Sequence, residues 1–131
     1  MPKWSCVVVE PVSLTHEPEA GRREEGPAAI EEAVQLYRRL AATNPDAYEP
    51  DLASSLRNWA IGLAEAGHRE EGLAAVEEAV QLCRRLAVTN PDAYELDLAM
   101  SLYTLSLRLD EVGRRDEAIA ASEEADKLMQ S

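Results

Sequence analysis

Apolar residues recur along this chain at the three- and four-residue spacing of an α-helix. Over residues 70–88 they form two adjacent rows. One row holds Leu73, Val76, Val80, Cys83 and Ala87, and the other holds Ala75, Ala79, Leu82 and Leu86. Two adjacent rows give an apolar face wide enough to contact two neighbouring helices. The pattern therefore predicts an amphipathic helix over residues 70–88 that packs among other helices, and its copy predicts another over residues 24–42.

A narrower apolar stripe follows each of these segments, in residues 51–66 and 97–112. The stripes hold Leu52, Leu56, Trp59 and Leu63 in the first segment, and Leu98, Leu102, Leu105, Leu109 and Val112 in the second. Their spacing predicts two shorter helices of roughly 16 residues. Gly67 and Gly113 come directly after them, at the position where a left-handed residue commonly ends a helix.

Each longer helix is followed by an Asn-Pro pair, at Asn44-Pro45 and at Asn90-Pro91. Asn tolerates the left-handed conformation at a helix end, and Pro cannot continue the hydrogen-bonded ladder. We therefore expect the longer helices to end there, and the segment NPDAYE to connect each of them to the next, shorter helix.

The whole pattern repeats at a fixed period. Gly67 lies 46 residues after Gly21, and Gly113 lies 46 residues after Gly67. A period of this size is typical of stacked units that each complete the core of their neighbours. The sequence thus predicts an all-α, helical-repeat solenoid of antiparallel helix pairs with about five helices. Its repeat domain covers residues 21–131, divided into copies 21–66 and 67–112 and a partial copy 113–131.

Residues 1–20 do not match the repeat. They combine strand-forming apolar residues such as Trp4 and Val7 with Pro2, Pro11 and Pro18, which disfavour a helix. Two interpretations stay open for this atypical N-terminal leader. It is either disordered, or it lies over the first long helix, which has no shorter helix before it.

Composition narrows the class of partner. The chain carries 25 acidic and 13 basic residues, a formal net charge of −12. Because binders of phosphate gain affinity from clustered Lys and Arg, this balance argues against nucleic acid and anionic membranes and favours a basic partner. The apolar run at Cys6–Val9 is too short for a signal peptide or a membrane span. With only Cys6 and Cys83, and no disulfide framework, we expect a cytoplasmic protein.

Two runs of residues fall at the spacings of a known repeat signature. The first is Leu56, Trp59, Ala60, Leu63, Gly67, Gly72, Val76 and Ala79, and the second is Leu102, Leu105, Ser106, Leu109, Gly113, Ala118, Ser122 and Ala125. Over residues 21–131 the chain resembles the tetratricopeptide repeat family. Its unit has 46 rather than 34 residues, as in the long-repeat variants of bacterial multi-repeat proteins.

The resemblance implies a groove lined by the shorter helices, in which residues not used for packing face a ligand. The expected partner-binding residues are Arg57, Asn58, Ile61, Tyr103, Thr104 and Leu107. The shorter helices diverge between the two copies from Arg57 and Tyr103 onward, whereas the longer helices are nearly duplicated. This divergence reflects either specialisation for a partner or a weaker packing constraint. The resulting hypothesis is a non-catalytic protein–protein interaction module that binds a peptide or a helix.

Self-assembly is the alternative hypothesis, because the array lacks polar caps. Ile30, Val34 and Tyr37 remain apolar on the first long helix. This predicts a homodimer through the first long helix rather than the last, either by face-to-face stacking or by exchange of helices between chains. An enzyme is not expected. The sequence contains no glycine-rich phosphate loop, metal-ligand set or Ser/His/Asp arrangement, so we expect no cofactor and no metal. Cys83 replaces Tyr37 at the same repeat position, which predicts a core residue rather than a nucleophile.

Overall fold

The computed structural model describes the backbone of residues 19–130 and the side chains of residues 28–130. This part of the chain folds into five α-helices and contains no strand. They are α1 (Glu19–Thr43), α2 (Pro45–Glu65), α3 (Arg69–Thr89), α4 (Pro91–Glu111) and α5 (Arg115–Gln130). Each helix packs against the next one in the chain, and α2 also contacts α4. The prediction of an all-α helical-repeat arrangement with five helices is confirmed.

The helices that begin at the Asn-Pro pairs are longer than the apolar stripes predicted. Both α2 and α4 begin at the proline and span 21 residues, the same length as α3. The segment NPDAYE is therefore the start of a helix, and its interpretation as a connection was wrong. Proline fits the first helical position because an N–H at that position would have no partner within the helix, and because the φ of proline is already helical.

Asn90 ends α3 and also caps the N-terminus of α4. Its backbone φ is −147°, outside the left-handed region. Its side-chain Oδ1 accepts a hydrogen bond of 3.3 Å from the backbone N–H of Ala93, which is an N-cap interaction. The expectation of a left-handed Asn was therefore wrong, although the helix does end at that residue. By contrast, Gly67 and Gly113 have φ of +92° and +84°, so the predicted left-handed helix ends are confirmed.

The core runs along the interior of the described helices. Its fully buried large side chains include Val34, Leu56, Val76, Cys83 and Leu102. The predicted stripe residues Trp59, Leu105 and Val112 are only partly buried at its margin. Cys83 is a free thiol whose pKa is raised by burial. This placement confirms that Cys83 fills the core.

The face of α1 expected to be uncovered is part of this core. Val34 has no exposed surface, and Ile30 and Tyr37 are partly buried against the core. The reason is the topology: α2 starts directly after α1 and packs along it. Ile30, Val34 and Tyr37 therefore do not form a free face in the folded chain, and the homodimer expected through them stays a prediction. The leader prediction falls on residues 1–18, which lie outside the described residues, and on residues 19–20, which are in the first turn of α1.

A repeated ion pair links α1 to α3 and α3 to α5. Arg38 of α1 donates to both carboxylate oxygens of Glu78 in α3, at 2.7 and 2.9 Å. Arg84 of α3 makes the same bidentate contact with Glu124 of α5, in which Nη2 and Oε1 are 3.0 Å apart. The two arginines are 46 residues apart, and so are the two glutamates. The 46-residue period of the sequence is therefore also a period of tertiary contacts.

Candidate functional site

The six expected partner-binding residues occupy three pairs of equivalent positions on α2 and α4. Arg57 corresponds to Tyr103, Asn58 to Thr104, and Ile61 to Leu107. Because α2 and α4 are in contact, the structure places both halves of the set on neighbouring helices. The six residues are unequal in exposure and in chemistry.

An exposed apolar stripe runs along α4. Its members are Leu96, Met100, Tyr103 and Leu107, which expose 56%, 43%, 37% and 59% of their surfaces. Intervals of four, three and four residues place them on one side of the helix. Leu107 lies eleven positions after Leu96, so at 1.5 Å per position the α4 stripe is about 16 Å long. The equivalent positions on α2 are Pro50, Ser54, Arg57 and Ile61, so the stripe is more apolar in the second copy.

The aromatic ring of the stripe is held in place from α5. The hydroxyl of Tyr103 donates a hydrogen bond of 2.6 Å to Oδ1 of Asp126. This bond raises the pKa of Tyr103 above its ordinary value. Asp126 stands where Val80 stands in α3, so this anchor exists in one copy only. The tethered ring keeps more than a third of its surface open.

The polar members of the expected set, Arg57, Asn58 and Thr104, contribute less to the surface on which a partner could bind than the apolar members do. The Thr104 hydroxyl donates to the carbonyl of Met100 in its own helix, at 3.1 Å. Arg57 is half-buried and lines a small recess together with Cys83 and Asp97. Asn58 is exposed. The surface available to a partner is therefore dominated by Ile61 and the α4 stripe.

Sequence reasoning missed Leu96 as a site residue. The helix was predicted to start at Asp97, which left Leu96 in the expected connection, and the equivalent residue of the first copy is Pro50. The four-three-four spacing with Met100, Tyr103 and Leu107 was the available signal, and it can be recognised only once the helix is known to start at Pro91.

Comparisons with known proteins assign no family. No protein-family model matches the chain, and no curated protein sequence matches it. None of the helices between residues 19 and 130 combines the length and hydropathy that crossing a membrane requires. The candidate site therefore stands on its own geometry.

Proposed function

We propose that this chain is a non-catalytic protein-interaction module of the tetratricopeptide type, which binds a peptide or helix of another protein across the α4 stripe and Ile61. The α4 stripe carries the proposal. Four apolar side chains each expose between 37% and 59% of their surface on one side of a helix whose other side, with Leu98 and Leu102, is in the core. A contiguous exposed apolar surface is typical of a binding site for another protein.

The stripe suits a partner that is itself an extended peptide or an amphipathic helix. Its apolar positions are spaced along about 16 Å, the length of three helical turns, and helices bind grooves through side chains at this kind of spacing. Tyrosine is common among the residues that dominate binding energy. Because Tyr103 is already held by Asp126, less conformational freedom is lost when a partner orders it.

Charge and compartment complete the proposal. The net charge of −12 favours a partner with basic residues around its apolar side. The free, buried thiol of Cys83 is compatible with the reducing cytoplasm, which we propose as the compartment.

Capture from native lysate with matched variants tests the proposal. Met100→Asp introduces a charge in the middle of the stripe, and Val88→Asp introduces the same charge at an exposed apolar residue of α3 outside it. We expect Met100→Asp to lose the captured protein at least tenfold and Val88→Asp to retain it. Equal capture by both variants, with unchanged helix content, would contradict the assignment of the stripe as the binding site.

Self-assembly is the second candidate function, and a specific observation favours it. Leu107 and Ile119 are exposed at the end formed by α4 and α5, so two copies could associate there as a homodimer. Sedimentation equilibrium over a hundredfold concentration range separates the candidates. A monomer throughout favours the interaction module, and a dimer that Ile119→Glu dissociates favours self-assembly.

A further inference from the structure

A cleft of about 250 Å³ lies between α4 and α5. We call it the C-terminal cleft, and its lining includes Ser106, Leu107, Ala118, Ile119, Ser122 and Glu123. The cleft and the α4 stripe share Leu107, but Ile119 belongs only to the cleft and Met100 only to the stripe. The two surfaces can therefore be tested separately.

The same surface exists one repeat earlier, where a helix fills it. The residues 46 positions before Ser106, Ile119 and Ser122 are Ala60, Leu73 and Val76, and all three are buried. In that copy α4 packs on α3 and also contacts α2. Leu73 exposes 3% of its surface, whereas Ile119 exposes 48%. The fold itself thus shows that a helix of the α4 kind fits a surface of this shape.

We infer that the C-terminal cleft is a docking site for a single amphipathic helix supplied by another polypeptide, with apolar residues spaced like Leu98, Leu102 and Leu109 of α4. These three leucines form the buried side of α4. In the cleft, Leu107 and Ile119 offer the apolar contacts. Ser106 and Ser122 replace Ala60 and Val76, so the cleft is more polar than its internal counterpart and tolerates exposure while it is empty.

A second folded copy cannot supply this helix without opening its own core. The leucines that would enter the cleft, such as Leu56 of α2 and Leu102 of α4, are fully buried within each chain. The donor is therefore a helix that is not already packed.

A single helix fits better than a further helix pair. Arg38 of α1 binds Glu78 of α3, and Arg84 of α3 binds Glu124 of α5. The equivalent position in α5 is Gln130, which lacks the positive charge of the arginine. The ion pair that joins α1 to α3 and α3 to α5 therefore has no equivalent donated by α5, and a second docked helix would lack this contact.

The charges around the cleft favour a basic residue in the docked helix. Asp110 and Glu123 line the cleft, with Arg115 near Asp110 at 3.5 Å. One repeat earlier, the position of Asp110 is held by Ala64, so a carboxylate has been added. At the internal interface, Arg114 lies in the electrostatic field of Glu70 and Glu77. A Lys or Arg at the end of the docked segment, placed as Arg114 is placed after α4, would lie near Asp116 and Glu123, which are the equivalents of Glu70 and Glu77.

A peptide with the sequence of residues 91–114 is the direct probe, because α4 fills the equivalent internal surface and Arg114 supplies the basic residue that follows it. We expect the labelled peptide to bind the 131-residue chain saturably, one peptide per chain, in fluorescence anisotropy. Ile119→Glu should weaken binding at least tenfold. Met100→Glu and Val88→Glu, which introduce the same charge outside the cleft, should change it less than threefold. A peptide with serine in place of its three buried leucines should not bind.

The outcomes that overturn the inference are equally specific. Absence of saturable binding to the unmodified chain, or undiminished binding by Ile119→Glu, would exclude the cleft as the site. Loss of peptide binding in the Met100→Glu variant alone would assign the peptide to the α4 stripe. A dimer of the chain that Ile119→Glu dissociates would identify a second copy as the occupant. Hydrogen exchange in the presence of peptide is a second measurement, and it should slow in α5 (Arg115–Gln130) if the helix docks there.

Discussion

Three leucines of α4 provide a graded test of how this helix packs. Leu102 exposes 1% of its surface, Leu105 is partly buried, and Leu107 exposes 59%. The same change to alanine at each position removes the same atoms from three different environments. Helix propensity changes equally at the three sites, so differences in the free energy of unfolding report burial alone.

The expected magnitudes follow from those exposures. Full burial of a leucine side chain contributes about 1.5 to 3 kcal/mol, and truncation also leaves a cavity, so Leu102→Ala should cost about 2 to 5 kcal/mol. Leu107→Ala should cost about 0.5 kcal/mol or less, as usual for a surface position. Leu105→Ala should fall between them, below the full core value that its place on the apolar stripe alone would suggest.

Urea unfolding, monitored by far-ultraviolet circular dichroism, measures the free energy of unfolding of all three variants. The dependence of the unfolding free energy on urea should stay constant across the series, which shows that the exposed surface on unfolding is unchanged. If Leu107→Ala destabilises the chain as much as Leu102→Ala, the assignment of the buried and exposed sides of α4 is wrong, and with it the α4 stripe.

Three further predictions test separate features. Val34→Glu should destabilise the fold by more than about 3 kcal/mol, because it buries an unpaired charge; a variant that folds with normal stability would contradict the burial of Val34. Arg84 lowers the pKa of Glu124 in the folded chain, so the pair stabilises the fold above the unfolded-state pKa and this contribution is lost as the pH falls through the lowered pKa. The cost of Glu124→Gln, below about 1 kcal/mol for such an exposed pair, should therefore shrink in acid, and thermal melts from pH 7 to pH 3 check it. Gly113→Ala should cost about 1 to 2 kcal/mol, because φ there is +84°; an unchanged melting temperature would refute it.

The sequence predicted the helices well because their signal is physical and local. Apolar rows at helical spacing identified four helices, and the 46-residue repeat predicted the fifth. Glycine identified the two left-handed ends, since Gly67 and Gly113 are the only described residues with φ above zero. The Asn-Pro pairs were misread because Asn and Pro suit both roles: they interrupt one helix and also begin the next. The residue types alone do not separate an abrupt junction from a connecting loop.

The site was harder to predict because it depends on which neighbour covers each face. Val34 belongs to an apolar row that looks alike whether α2 covers it or solvent does. Arg108 is a buried charged residue of α4 that pairs with Glu111 at 3.1 Å. Its equivalent in α2 is Gly62, so comparison of the two copies gave no indication that Arg108 would be buried. Ile61, Tyr103 and Leu107 were predicted correctly as exposed because they fall between the packed positions of their helices.

Site-specific photo-crosslinking tests the proposed binding role of the α4 stripe most directly. A photoreactive amino acid replaces Met100 within the stripe, or Val88 outside it, since both side chains are exposed. The proposed function predicts that the protein captured from native lysate becomes crosslinked through position 100 and not through position 88. Crosslinking through position 88 alone, or equally through both positions, would contradict it.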